Sequence, residues 1–335
     1  MTHPLDRTTG TATVPIHSVD LHYHAGMERR PGCSIADHLR FAQLTGRRIV
    51  GVTDHDFYLR GKSAIAPDRT YLYDFSLSGM AQFRSDVRSA ATAFPDLSVF
   101  FSIELGARRD LAAVPDDCLA MCDFVICEGV RLSPDPRATT EEQLRRVRQV
   151  RELMDRCGKP AFLGHPFRWA VDDRMVFADM DPGLASLPLR PDLDCPDEEL
   201  NSFFGFDIRA TAKACRHHGV PVEVNGHTCW RVLGLNLPVL YDLLCAANRI
   251  LRDEGVELVP GSDQHEFRLT WGGKPANAGV PVPWHLFERL GVTLENSSVL
   301  RALTSSGPTG STAARTRRAF GHSGHSSGKR IDNRS

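Results

Sequence analysis

Histidines and carboxylates recur along this chain where short apolar runs end. His22-Tyr23-His24 follows Val19-Asp20-Leu21, and Asp54-His55-Asp56 follows the run 49–53. Glu104 closes the run 99–103, His165 follows 161–164, and Asp263-Gln264-His265 follows 256–262. Alternate residues of a strand share one face, so His22 and His24 are placed to chelate together. Imidazole combined with carboxylate suits zinc, manganese or iron. Ligands at the ends of successive strands, far apart in sequence, require strands that converge on one rim. A barrel of alternating strands and helices builds its active site in that way. The chain therefore reads as a metallohydrolase.

The runs between these clusters alternate in character. Strands are expected over 48–53, 97–103, 123–127, 161–164, 220–224 and 256–260. Helices are expected over 34–45, 80–93, 139–157, 198–217 and 237–252. Thr139 with Glu142 three residues on carries a capping-box pattern. Strands alternating with helices argue for parallel βα units. Seven strand candidates end near the rim, before His22, His55, Glu104, Glu128, His165, Asn225 and Asp263. Seven is one short of the eight-stranded barrel, so the expected fold is a distorted TIM-like (β/α)7 barrel over residues 14–303, with residues 1–13 as an extension. Residues 171–196, rich in proline and aspartate, read as a long surface loop. Residues 304–335 are rich in Ser, Gly, Thr and Arg and carry six basic residues against one acidic. They read as a disordered basic tail.

Composition narrows the function. Of 335 residues, 41% are hydrophobic and 24% charged, ordinary for a soluble domain, and the formal net charge of −1 advertises no nucleic-acid partner. No apolar run approaches the roughly 18–20 residues that span a bilayer. Residues 1–13 lack a charged-then-apolar leader pattern, so the expected location is the cytoplasm. The nine cysteines contain no C-x-x-C pair. Cys118 and Cys122, four apart, read as two small buried thiols in preference to a thiolate metal pair.

The ordered series Asp20-Leu21-His22-Tyr23-His24, Thr53-Asp54-His55, Glu104, Gly164-His165-Pro166, Glu223-Val224-Asn225 and Gly261-Ser262-Asp263-Gln264-His265 resembles the polymerase-and-histidinol-phosphatase (PHP) superfamily over residues 14–271. The resemblance implies a distorted seven-unit barrel with two or three divalent metals (Zn, Mn or Fe) at its rim, and hydrolysis of phosphate esters. It implies that His22, His24, Glu104 and Asp263 hold one metal, that Glu104 bridges to a second with His165, and that His55 and His265 serve a third. The chain departs from the family pattern at two places. Where an acidic residue or histidine often follows the first motif stand Arg29 and Arg30, with Glu28 one residue earlier as a substitute ligand. Where the fourth strand usually ends in Ser-x-His, this chain has Cys127-Glu128-Gly129, with Glu128 as an oxygen ligand in its place.

The leading functional expectation is removal of phosphate from a small-molecule phosphate monoester by a metal-bound hydroxide. Arg168, three residues after His165, is the expected phosphate clamp, with Arg29, Arg30, Arg131 and Arg268 as lesser candidates. Asp56 or His265 would protonate the leaving oxygen. Asp54 is expected to orient a histidine, and Glu223 and Asn225 to bond ligands or substrate. His227 has no assigned role. Two alternatives stand beside this reading: a phosphodiesterase or nuclease of the same superfamily, and a metal-binding regulatory protein with degraded catalysis. The expected partners are the phosphate ester and phosphate, with no membrane.

Overall fold

The computed structural model describes residues 14–25, 34–60, 73–177, 189, 192–234, 238–265, 270–271, 274–275 and 280–306. Seven strands form one parallel sheet in chain order: β1 (Val19–His24), β2 (Ile49–Thr53), β3 (Ser98–Leu105), β4 (Phe124–Glu128), β5 (Ala161–Gly164), β6 (Val222–Asn225) and β7 (Leu258–Gly261). The sheet curls until its edges meet. Just beyond β7, Asp263 N donates to His22 O at 2.7 Å, and His24 N donates to Gln264 O at 2.9 Å. The expected distorted TIM-like (β/α)7 barrel is present.

Helices wrap the outside: α1 (Ile35–Leu44), α2 (Phe57–Arg60), α3 (Leu77–Ala91), α4 (Asp116–Met121), α5 (Pro136–Cys157) and α6 (Arg168–Phe177) come first. Then follow α7 (Asp197–Phe204), α8 (Ile208–His218), α9 (Gly226–Gly234), α10 (Pro238–Asp253), α11 (Trp284–Leu290) and α12 (Ser298–Ser306). Each strand is buried on both faces, which is why β2, β4 and β5 read as near-continuous apolar runs without alternation. No helix among the described residues is long and apolar enough to cross a membrane.

Several sequence expectations need correction. Helix α5 begins at Pro136, not Thr139: Asp135 caps it by accepting from Arg137 N, and proline suits a first turn whose N–H has no helical partner. Thr139 instead accepts from Ser133 N, and Glu142 pairs with Arg145. The single helix expected over 198–217 is two, α7 and α8, because Gly205 adopts a left-handed conformation between them. The expected loop 171–196 begins as the second half of α6. The expected tail from 304 begins as the last turn of α12, while 307–335 lie outside the described residues, as do Glu28, Arg29, Arg30, Cys33 and Arg268.

A buried carboxylate links the barrel's two closing strands. Asp20 on β1 takes Arg47 Nε at 2.8 Å and Ser262 N at 2.8 Å. Arg47 also donates to Val280 O at 3.1 Å. Asp20 thus ties the residue after β7 to β1, while Arg47, just ahead of β2, holds the Asp20 carboxylate in place. Cys118 and Cys122 are buried thiols against Met80 Sδ and a helix carbonyl.

Candidate metal centre

All seven strands contribute to the carboxyl-terminal rim. The register between β1 and β2 slips between Asp20 and Tyr23, so β1 carries one extra residue beside His22. Such bulges re-aim side chains next to active sites. His22 and His24 share a face, and their Nε2 atoms lie 3.0 Å apart. Asp263 Oδ1 lies 3.6 Å from His22 Nε2 and 3.5 Å from His24 Nε2. Glu104, at the end of β3, reaches His165 Nε2 at 2.7 Å and His24 Nε2 at 3.4 Å. His55, just past β2, places Nδ1 2.8 Å from Glu104 Oε2 and Nε2 3.3 Å from His265 Nε2.

Two residues of the cluster have unusual backbone. His165 has φ of 28° and Asp263 has φ of 57°. Positive φ strains a non-glycine residue by about 1–3 kcal/mol and persists where surrounding structure over-determines it, commonly at functional sites.

Glu223 on β6 organises the cluster from behind. It accepts from His22 Nδ1 at 2.8 Å, from His165 N at 2.8 Å and from Asn225 Nδ2 at 3.1 Å. Asn225 Oδ1 in turn caps α9 through Thr228 N. We assign the His22 proton to Nδ1, which leaves its Nε2 lone pair facing the cluster. His265 likewise gives Nδ1–H to Asp263 O at 3.0 Å and turns Nε2 inward. Glycine at 261 makes room for this arrangement. A methyl group there would lie 2.1 Å from Glu223 Oε1 and 2.6 Å from His22 Cβ.

The electrostatics are those of a site built for cations. Burial favours neutral carboxyls, but Arg168 and His22 hold Asp263 well below the usual carboxylate range. His22 and His55 do the same for Glu104 against its burial. Burial works against a charged His55, yet Glu104 lifts it to about 9. Burial, and then His24, push His265 well below the usual imidazole value. Asp263 Oδ1 and Glu104 Oε2 are buried without an aligned hydrogen-bond donor. Ionised carboxylates and imidazole nitrogens thus converge at one buried point, a donor set that suits a divalent cation once the imidazoles give up their protons.

Five overlapping groups of side chains could hold a metal: His22, His24 and Asp263; His22, His165 and Glu223; His24, His55 and His265; His55, Glu104 and Glu128; and His227, Asp263 and His265. Every expected ligand that is described thus falls in at least one group, and Glu128 is among them. Glu128 also accepts from Ala107 N at 2.7 Å.

Other expected residues sit beside the cluster. Arg168 donates to Asp263 Oδ2 at 2.9 Å. Asp56 is in none of the five groups; its carboxylate takes Arg109 Nε at 2.8 Å. Asp54 accepts from His55 N at 2.7 Å, and burial lifts it to about 6. Sequence reasoning missed three partners. Arg109 gave no local signal. The Asp20–Arg47 pair joins residues with no shared motif. His227 accepts from Arg231 Nε at 2.8 Å, four residues on along α9, which leaves its proton on Nδ1, 3.6 Å from Asp263 Oδ2. That i,i+4 spacing was the one available clue.

Neither protein-family models nor curated protein sequences match this chain. Among solved structures, it is similar to histidinol phosphate phosphatase from Lactococcus lactis subsp. lactis Il1403, determined with zinc, L-histidinol and phosphate. That likeness covers 85% of this chain and 94% of the other at 14% identity, with a TM-score of 0.46. Phospho-2-dehydro-3-deoxyheptonate aldolase from Thermotoga maritima is similar over 82% of this chain and 67% of its own, at 10% identity and a TM-score of 0.31. These likenesses are distant, and the site is read from this chain's own residues.

Proposed function

We propose that the protein is a metal-dependent phosphatase acting on a small-molecule phosphate monoester, as the resemblance of its motifs to the PHP superfamily implies. One observation carries this reading: His22, His24, Glu104, Asp263, His55, His165 and His265 converge from five strand ends, with Asp263 Oδ1 and Glu104 Oε2 buried and lacking an aligned donor. Two or three divalent ions (Zn, Mn or Fe) fit that donor set. When bound, they supply charge for the phosphoryl oxygens and a water acidic enough to attack phosphorus at neutral pH.

The chain's own residues do the rest. Glu223 holds the tautomer of His22, and Asp20 holds β1 against the turn that carries Asp263. Glu128 offers an oxygen where the family pattern has a histidine. Arg168 gives one N–H to Asp263, and its remaining donors lie beside the cluster to hold a phosphoryl oxygen. His265 is assigned to metal holding, because its Nδ1 is committed to a carbonyl and its Nε2 faces inward. Asp56 fixes Arg109 at the edge of the site and is the candidate acid for the leaving oxygen.

The purified protein, supplied with Mn, Zn or Fe, should release phosphate from a panel of small monoesters and lose that activity in chelator. Release that persists after metal removal would overturn the reading. Bound metal without release from any monoester would favour the regulatory alternative, and release only from diesters or oligonucleotides the nuclease.

A further inference from the structure

Beside the metal cluster, the rim opens into a second cavity of about 400 Å³ between the β3–α4 loop, the end of β4 and α5. Four guanidinium groups line it, from Arg108, Arg109, Arg131 and Arg145, against two carboxylates, Asp110 and Glu142. Their charges are unequally used. Both oxygens of Glu142 are taken by Arg145. Arg109 gives its Nε to Asp56. Arg131 sits over the Trp169 ring, its guanidinium carbon 3.7 Å from the ring centre. Neither Arg108 nor Arg131 meets a carboxylate among the described residues.

The floor of this cavity is built. Arg146 on α5 is 1% exposed and donates to four carbonyls: Leu105 and Gly106 at 3.0 Å each, Arg109 at 2.8 Å and Glu128 at 3.0 Å. A buried cation satisfied by carbonyls alone fixes the loop that bears Arg108 and Arg109. It also adds positive charge beneath the cavity, offset in part by Glu128 and Glu142. Glu128 links the cavity lining to the metal cluster. Ala107 N donates to Glu128 Oε2, and Glu128 groups with His55 and Glu104. On the other side, Trp169 adjoins Arg168, which holds Asp263.

We propose that this arginine-lined cavity binds a second anionic group of the substrate, a phosphate or a carboxylate carried on the leaving alcohol. The inference rests on the phosphatase reading and narrows its substrate class to monoesters with an additional oxyanion. Guanidinium forks match such groups and remain charged at any working pH. A neutral alcohol would leave Arg108 and Arg131 facing solvent, with nothing to reward their convergence.

Two measurements on the full chain test this. In chelator at low salt, calorimetric titration with inorganic pyrophosphate should show binding that the double variant Arg108→Gln/Arg131→Gln weakens at least tenfold. Both side chains are on the surface, so the variant should keep the parent's melting temperature. A parallel titration with malonate tells a phosphate site from a carboxylate site. Arg168→Gln should weaken pyrophosphate binding less than threefold. Unchanged binding in the double variant, or a loss confined to Arg168→Gln, would overturn the proposal. With metal restored, the preference in kcat/KM for 3-phosphoglycerate over glycerol 3-phosphate should fall at least tenfold in the double variant. An identical preference in parent and variant would also overturn it. Anion binding that behaves as expected in a protein that hydrolyses no monoester would remove the phosphatase reading while the anion site stands.

Discussion

Glu223→Gln separates the charge of the central positioning carboxylate from its shape. In the parent, Glu223 accepts from His22 Nδ1, His165 N and Asn225 Nδ2 at 2.8, 2.8 and 3.1 Å. Glutamine keeps the outline, but one arm becomes a donor. With the amide oxygen on His165 N–H, the NH2 group faces His22 Nδ1 and Asn225 Nδ2, and the side-chain N–H of Asn225 loses its acceptor. The ring must then accept at Nδ1 and carry its proton on Nε2, the atom that faces His24, Glu104 and Asp263. A neutral imidazole protonated there cannot ligate. With the amide reversed, NH2 meets the His165 N–H, and a buried backbone donor goes unsatisfied at about 1–3 kcal/mol. An imidazole can change tautomer and a backbone amide cannot, so the first orientation is expected. The metal-free fold should lose no more than about 1–3 kcal/mol. Metal affinity should fall about 10–100-fold, the usual scale for a partner behind a ligand. Competition titration against a chromophoric chelator reads the affinity, and urea unfolding of the metal-free protein reads the stability. Parental metal affinity in Glu223→Gln would refute the tautomer reasoning.

Gly261→Ala should displace the same carboxylate, since its methyl would stand 2.1 Å from Glu223 Oε1. Thermal unfolding should show a loss of about 1–3 kcal/mol from overpacking, with weaker metal binding. Asp20→Ala leaves Arg47 buried without its partner and should cost about 3–5 kcal/mol in denaturant unfolding. A loss below about 1 kcal/mol would mean that the pair does not hold the closure. His38, on α1, is buried, and burial pushes it down to about 4. Its folded value lies below its unfolded one, so its contribution is complete above about pH 6.5 and fades as pH falls toward 4. Between pH 7 and pH 5 the parent should lose about 2 kcal/mol more than His38→Leu does, and parallel pH profiles would discard this account.

Most of the barrel was legible because its strands are short and apolar and six of the seven end at a metal-type residue. His22, His55, Glu104, Glu128, His165 and Asp263 all stand where a run of buried β-formers stops. Parallel strands buried on both faces leave that pattern in a sequence. Helix boundaries were less legible. Gly205 splits α7 from α8 inside one apolar period, and Asp135 with Pro136 starts α5 a turn before the capping box that Thr139 suggested. The network behind the ligands was the least legible. Glu223 could be seen to share a strand face with Asn225, but its reach to His22 crosses 201 positions and depends on Gly261. Arg47 and Asp20, or Arg109 and Asp56, become partners only when neighbouring strands pair. Long arginines carry no periodic signature, which also hid the cavity that four of them line.

The claim on which all of this stands is that the rim cluster is a metal centre. Crystals of the protein loaded with zinc or manganese, measured on either side of the metal absorption edge, test it directly. The anomalous map should show an ion at about 2.0–2.3 Å from His22 Nε2, His24 Nε2 and an oxygen of Asp263. At least one further ion should share Glu104 with it, near His165 or near His55 and Glu128. A map without an ion among these residues, from crystals in which the protein has been offered excess metal, would contradict the account.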